Sequence, residues 1–457
     1  MFTLDASIVN VALPTLAHAF GAPLATVQWV VLAYLLVITT LVMGAARLGD
    51  VRGRKRAYLA GLGLFTVASA LCGLAPGVGW LIAFRALQGL GAVFISALGA
   101  AIIAQLFAST QRGRALGVIA SCVTAGVALG PTIGAFIIHL AGWRWMFLLN
   151  IPVGLAALSI VARAIPDFPA TPARLPFDWL GTVLVAAALG GFSLALTWGQ
   201  RQGFDSVLQL TLLAAAGALL LAFLFVETQV DGPILDLKLF ANTPFSAGLA
   251  MSCLAFTVLG ATSLTMPFFL QLGLGLPIAQ VGLLMAISPT VGGITAPVGG
   301  TLSDRFGPRW VTAIGLALMC CGSFLLASMD ETTSLWRFAL SVAPVGLGMG
   351  LFSSANNSAV LNAVPRERLG VASGLLSLAR TLGQSTGVPI AASLFSAFAL
   401  GYAAAANHGA LLDLPPASLV HGARWAYAAA GIAALSGTCI AVWMLATSHR
   451  KDAKTQR

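Results

Sequence analysis

Charge is what this chain has least of. Its 14 acidic and 24 basic side chains make up 8% of 457 residues, where a water-soluble domain carries roughly a quarter. With 58% of positions hydrophobic, no water-facing surface can be assembled, which excludes a soluble globular protein. The period-two alternation of an outer-membrane barrel is also missing. Helices are then the remaining way to satisfy every backbone N–H and C=O in hydrocarbon. Cysteine is scarce, and Cys72, Cys122, Cys253, Cys320, Cys321 and Cys439 all lie within apolar runs. None stands at metal-ligand spacing from a histidine, so they read as small core- or lipid-facing residues and no metal is expected. No glycine-rich loop ends in Lys-Ser/Thr, which argues against ATP as the energy source. No basic segment precedes the first apolar run, so no signal peptide is indicated. No cluster of His, Asp and Glu, and no nucleophile beside a base, falls within the apolar runs, which argues against an enzyme. The net charge of +10 would suggest nucleic acid in a soluble protein. Here it reflects the Lys and Arg that cytoplasmic loops collect, and no nucleic-acid partner is expected.

What the chain does have is long apolar runs. Fourteen are counted, near 2–20, 25–45, 57–75, 79–105, 112–138, 145–164, 177–199, 207–227, 244–270, 278–300, 310–328, 336–362, 369–400 and 424–447. Each is close to the twenty or so residues that cross about 30 Å of hydrocarbon. The fold class expected is an all-α polytopic membrane protein with fourteen transmembrane helices. With the N-terminus placed in the cytoplasm, 18 of the 24 Lys and Arg lie inside, four lie outside (Arg144, Arg201, Arg337 and Arg424), and Arg85 and Arg380 lie within runs. That bias puts both termini in the cytoplasm. The opening Met1-Phe2-Thr3-Leu4-Asp5 has no cytoplasmic lead, and a true start further upstream is expected.

The short stretch Ala46-Arg47-Leu48-Gly49-Asp50-Val51-Arg52-Gly53-Arg54-Lys55-Arg56 returns later as Gly300-Thr301-Leu302-Ser303-Asp304-Arg305-Phe306-Gly307-Pro308-Arg309. Asp50 maps on Asp304 and Gly53 on Gly307 at an offset of 254 residues, which also carries Arg112 and Arg114 onto Arg366 and Arg368. A duplicated six-helix bundle with an inserted helix pair accounts for this. The expected divisions are a first bundle at 1–165, the inserted pair with flanking loops at 166–243, a second bundle at 244–448 and a basic cytoplasmic tail at 449–457. The proline-rich loops around the inserted pair suit connecting segments. Duplicated bundles around a midplane site are the plan of secondary transporters.

Charges and small residues inside the runs are the functional candidates. Asp50, Gly53 and Arg54, with Asp304, Arg305 and Gly307, read as gating hinges. Glycine permits a tight turn, and Asp50 can pair with Arg54 in one conformation and release it in another; a solvated basic loop is the plain alternative. Arg85, followed by Gln88, Gly89 and Gly91, is costly inside a membrane unless paired, or else snorkels to an interface. Asp5 is the only carboxylate inside a run of the first half, a position suited to loading and releasing a proton. Counted from the ends of their own helices, Asp5 lies about 24 Å below the outer surface and Arg85 about 9 Å, which gives no ground for pairing them. Gly126, Gly130, Pro131 and Gly134 form a run of small residues four apart with a kink, suited to close helix packing. Arg380 is a cavity candidate, with no intramembrane acid in the second half to neutralise it.

The hinge residues resemble the signature loop of the major facilitator superfamily, although Ala46, Val51 and Pro308 depart from its pattern. Leu4-Asp5-Ala6-Ser7-Ile8-Val9-Asn10-Val11-Ala12-Leu13-Pro14 is similar to the first-helix signature of the fourteen-helix drug:proton antiporters, the EmrB/QacA type. Trp143-Arg144-Trp145-Met146-Phe147-Leu148-Leu149-Asn150-Ile151-Pro152-Val153-Gly154 resembles the start of that branch's sixth helix. The resemblance implies a proton-transfer role for Arg85 and Gln88, a coupling acid in Asp5 and an exporter motif in Gly126–Gly134. It also implies proton-coupled efflux of small amphipathic compounds across the inner membrane, run by the proton gradient with no cofactor. Substrate, protons and the lipid bilayer are the partners expected, and a periplasmic adaptor is left open. An importer, facilitator or metabolite exporter on the same fold remains the alternative.

Overall fold

Apolar runs that must bury their own backbone polarity form helices almost end to end. The computed structural model describes residues 2–106, 109–167, 178–202, 206–230, 237–364, 369–403 and 414–455. The helices are α1 Phe2–Phe20, α2 Leu24–Val27, α3 Trp29–Arg52, α4 Arg54–Gly73, α5 Val78–Leu106, α6 Ser109–Ala141, α7 Trp145–Leu148 and α8 Asn150–Ala164. They continue as α9 Trp179–Gln202, α10 Val207–Glu227, α11 Thr243–Phe268, α12 Ile278–Phe306, α13 Pro308–Ala327, α14 Leu335–Asn362, α15 Leu369–Ala403 and α16 Pro416–Thr455. A π turn over Phe269–Gly273 extends α11 just past Pro267. No strand occurs among the described residues.

Twelve segments, from Leu24–Val42 to Pro416–Thr447, are long and apolar enough to cross a membrane. Helix α6 adds only the shorter apolar stretch Ala125–Ala141, and α1, 19 residues long, stands outside the twelve. The polar Asp5, Asn10 and His18 dilute the apolar character of α1. The last helix begins at Pro416, ahead of the expected 424, and its backbone stays helical to Thr455.

The chain divides into two units: Met1–Leu235 with Pro277–Gly282, and Asp236–Leu276 with Leu283–Arg457. Within the first, α1 lies along α6, α5 packs between α3 and α4, and α8 lies against α4. Helices α9 and α10 pair with each other, and α9 lies against α3. That attachment is polar: Gln28 Nε2 and Trp29 Nε1 both donate to Thr197 Oγ1, at 3.1 and 3.0 Å. Within the second unit, α11 packs on α15 and α16, and α13 on α14 and α16. Helix starts are capped where the sequence offers Ser or Asn. Ser206 accepts from Gln209 N, Asn242 from Phe245 N and Ser334 from Arg337 N, satisfying first-turn N–H groups.

Duplication is visible at the level of packing. Gly61 on α4 meets Gly91 on α5 so closely that a Cβ at Gly91 would lie 2.7 Å from Gly61 O. Gly315 on α13 and Gly348 on α14 repeat that crossing, and a Cβ at Gly348 would collide with Gly315 O. The offsets are 254 residues for α4 to α13 and 257 for α5 to α14. The same offsets carry the apolar cluster of Ala57, Phe94 and Leu98 onto that of Val311, Leu351 and Ala355.

Candidate functional site

Five elements of the first unit converge on one carboxylate. Helix α1 supplies Asp5, and α5 supplies Arg85 and Gln88, one turn apart and so on one face. Helix α4 supplies Ser69, α8 opens with Asn150, and α3 supplies Tyr34. Asp5 and Arg85 are each 1% exposed. Arg85 Nη1 donates to Asp5 Oδ2 at 2.6 Å and to Gln88 Oε1 at 2.6 Å, and Arg85 Nε donates to Val30 O at 3.0 Å. The guanidinium carbon lies 4.2 Å from the Tyr34 ring centroid and 5.9 Å from that of Phe147, so aromatic faces add to the cation's stabilisation. Asp5 Oδ1 accepts from Asn150 Nδ2 at 2.7 Å and from Gln88 Nε2 at 3.1 Å. Ser69 Oγ accepts from the same two amides, at 3.0 and 3.1 Å, and donates to Phe147 O at 2.8 Å.

Arg85, Gln88 and Asn150 all donate to Asp5, so the arrangement is built for a carboxylate. Removing one member of such a buried pair typically costs 3–5 kcal/mol, because the other charge is left uncompensated. A proton arriving on Asp5 would cancel the ion pair and set a new O–H donor against Arg85 and two amide donors.

The expected separation of Asp5 from Arg85 is corrected by this direct pairing. Depth was counted from each helix's own end, on the premise that the ends lie level. For α1 and α5 they do not: Asp5 stands 15 residues from the end of α1 and Arg85 seven from the start of α5, yet the two side chains pair. Asp5 also meets Asn150, the first residue of α8.

Both glycines of the repeated stretch lie at turns between helices. Gly53, between α3 and α4, has φ +96°, and Gly307, between α12 and α13, has φ +85°, a region L-residues rarely enter. Gly53 is buried, while Asp304 and Arg305 are exposed. Arg54 Nη1 reaches Ala101 O at 3.5 Å. The side chains of Asp50, Arg112, Arg114, Arg366 and Arg368 lie outside the described residues, and with them the expected Asp50–Arg54 pair.

Gly126, Gly130 and Gly134 face α1. A Cβ at Gly126 would lie 2.9 Å from Thr3 Oγ1, and one at Gly130 2.5 Å from Ser7 Cβ. Pro131 has no N–H for the carbonyl four residues back. That carbonyl, Val127 O, accepts from Ser7 Oγ at 3.0 Å, so α1 repairs the break in α6. The second unit makes an equivalent approach: Cβ atoms at Gly383 and Gly387 on α15 would collide with Cys253 O and Thr257 O on α11. The glycine run thus serves close packing in both units.

Arg380 is partly buried, donates to Asn357 Oδ1 and lies 5.6 Å from the Phe256 ring centroid. A neutral acceptor and an aromatic face stand where an acid was lacking. No group of three or more His, Cys, Asp or Glu is placed to hold a metal ion among the described residues.

Ser69, Asn150 and Tyr34 are the members that sequence reasoning did not single out. Asn150 carries a readable signal, an amide inside an apolar run. Ser69 carries none, since a lone serine in such a helix is most often bonded to its own backbone.

A sequence model described as Major Facilitator Superfamily matches residues 1–388 and 248–457. The chain is 32% identical over 402 residues to the multidrug resistance protein Stp of Mycobacterium tuberculosis, covering 87% of this chain and 74% of that protein. It is 31% identical over 396 residues to the riboflavin transporter RibZ of Clostridioides difficile, covering 87% and 86%. A solved structure of a bacterial homologue of the human lysosomal transporter Spinster superposes with a TM-score of 0.68 at 16% identity, covering 96% and 93%.

Proposed function

The chain belongs to the Major Facilitator Superfamily, and on that premise we propose that it is a proton-coupled exporter of small amphipathic compounds. It is a multi-pass membrane transporter and not an enzyme. The proposed topology has fourteen crossings, counting α1 and α6 with the twelve, and both ends in the cytoplasm of the inner membrane. The proposed divisions are those at 165, 243 and 448, with α9 and α10 as the inserted pair. This is the plan of the fourteen-helix drug:proton antiporter branch.

The observation that carries the reading is the ion pair Arg85–Asp5 at 2.6 Å with both side chains 1% exposed. An ionisable pair in a transporter's membrane-embedded core marks a proton relay or ion pathway. Asp5 is the coupling acid, Arg85 its counter-ion, and Gln88 and Asn150 hold the carboxylate in place. Protonation of Asp5 frees Arg85 and biases alternating access, with the Asp50 and Asp304 hinges setting the ends of the stroke. The name of Stp supports drug-like substrates, and the lack of an acid beside Arg380 supports neutral or weakly charged ones.

Everted vesicles energised with an inward-acid proton gradient test this. Accumulation of a hydrophobic dye or drug inside them, lost with Asp5→Asn, is the expected result. Accumulation that persists when the gradient is collapsed overturns it. The name of RibZ favours a second reading, transport of a defined metabolite, which predicts that riboflavin or a similar solute and no drug moves in the same vesicles.

A further inference from the structure

Arg380 lies eight residues inside the apolar span Ala372–Tyr402, about 12 Å along α15 at 1.5 Å per residue. Its side chain is partly buried and keeps accessible surface. A guanidinium with open surface at that depth is costly against hydrocarbon, so what it faces within the span is water or a ligand. Arg380 Nη2 donates to Asn357 Oδ1 on α14, a neutral acceptor that leaves the positive charge uncompensated. Among the described residues no acid pairs with it. Gln384 stands one turn further along α15 and so on the same face. Its side-chain amide has no hydrogen-bond partner among the described residues, and both Gln384 and Asn357 keep accessible surface.

The first unit shows that the frame does not need these groups. Gly383 and Gly387 on α15 repeat the close approach of Gly126 and Gly130 on α6 at an offset of 257 residues. At that offset Arg380 corresponds to Val123, Gln384 to Val127 and Asn357 to Ala100. Three apolar side chains stand in one copy where the other has a cation and two amides. With Asn357 Oδ1 taken by the arginine, the set still offers Asn357 Nδ2, Gln384 Nε2 and the remaining guanidinium N–H groups. Such a donor-rich set with one positive charge matches a carboxylate, which can accept two parallel bonds from a guanidinium. The Phe256 ring, its centroid 5.6 Å from the guanidinium carbon, gives an apolar neighbour for the rest of an amphipathic molecule.

We infer that Arg380, Gln384 and Asn357 form a carboxylate subsite in the second unit, which takes amphipathic molecules carrying a single carboxylate on an aromatic or aliphatic body. Arg380 receives the carboxylate, Gln384 Nε2 and Asn357 Nδ2 donate to its remaining lone pairs, and Phe256 packs against the body. The inference rests on the export reading above and narrows its weakly charged cargo to organic monoanions.

The test is equilibrium dialysis of the full chain in a non-ionic detergent, with radiolabelled naphthylacetate and its neutral isostere naphthylacetamide, each corrected for uptake by empty micelles. The wild type is expected to bind the carboxylate about tenfold more tightly than the amide, as a hydrogen-bonded charge pair should allow. Arg380→Gln should bring the carboxylate down to the affinity of the amide and leave the amide as in the wild type, a split that a general loss of structure does not produce. Gln384→Leu should weaken the carboxylate several-fold, and it keeps the test decisive if Arg380→Gln does not fold. Binding of neither probe by the wild type, equal binding of the two, or undiminished carboxylate binding in Arg380→Gln (or, should that variant not fold, in Gln384→Leu) overturns the inference. Dialysis needs no proton gradient, so carboxylate selectivity without gradient-driven accumulation in everted vesicles would count against the export reading alone.

Discussion

Asp5 anchors hydrogen bonds from α5 and α8, and its substitutions separate structure from coupling. Asp5→Asn keeps the shape but leaves the Arg85 guanidinium uncompensated. Export driven by the proton gradient is expected to fall to background while equilibrium substrate binding, measured by dye fluorescence in detergent, changes less than threefold. Gradient-driven export at wild-type rate would remove Asp5 from the mechanism. Asn150→Leu withdraws one donor from the carboxylate and one from Ser69 Oγ. A loss of about 1–3 kcal/mol should appear as a melting temperature several degrees lower in detergent. Asp5 and Arg85 were each legible because they are ions in apolar runs; their pairing was not, because it depends on the relative height of α1 and α5. Ser69 was not, because a hydroxyl's partner depends on which helix lies opposite, and no local pattern records that. Tyr34 shows the same limit: its ring stacks on a cation that is 51 positions away in sequence.

Among helices, length and composition were readable, and relative height was not. Turns at Gly53 and Gly307 were foreseen because both copies put glycine there, and the positive φ explains why. Gly53→Ala forces a Cβ into that region at a cost of order 1–3 kcal/mol. Gly77→Ala, with nothing within 4 Å and an ordinary φ, is the control. Thermal unfolding should separate the two variants, and equal melting temperatures would deny the turn its role. At the α1–α6 contact, Gly130→Ala meets Ser7 Cβ and should cost about 1–3 kcal/mol by overpacking, with a matching drop in melting temperature. The α13–α14 loop carries a pH signature. Asp330 is held below the ordinary carboxylate range by the hydroxyls of Thr332 and Thr333, with Arg337 adding to the effect. A lowered carboxyl pKa stabilises the fold above the ordinary value, and that contribution fades as the pH falls through the lowered one. Asp330→Asn should therefore reduce stability near neutrality and leave it unchanged in strong acid, as read by melting temperature against pH.

The two units repeat the Gly61–Gly91 contact as Gly315–Gly348 while many of the side chains around them differ, as a duplication would leave them. The repeated hinge made this legible, since a 254-residue offset shared by several charged and glycine positions is hard to obtain by chance. What the repeat could not tell is where the copies differ: the carboxylate hub belongs to the first unit and the Arg380 cluster to the second. The fourteen-crossing proposal makes a topological prediction. Fusions after Arg457 should give fluorescent green fluorescent protein and inactive alkaline phosphatase; an active phosphatase would mean an odd number of crossings or an outward tail. In the second unit Gly348, Gly383 and Gly387 form close seams set against carbonyl oxygens of the neighbouring helix. Such a seam asks nothing of the neighbouring side chains, so a lineage can rewrite the residues around it for a new cargo without refitting the frame.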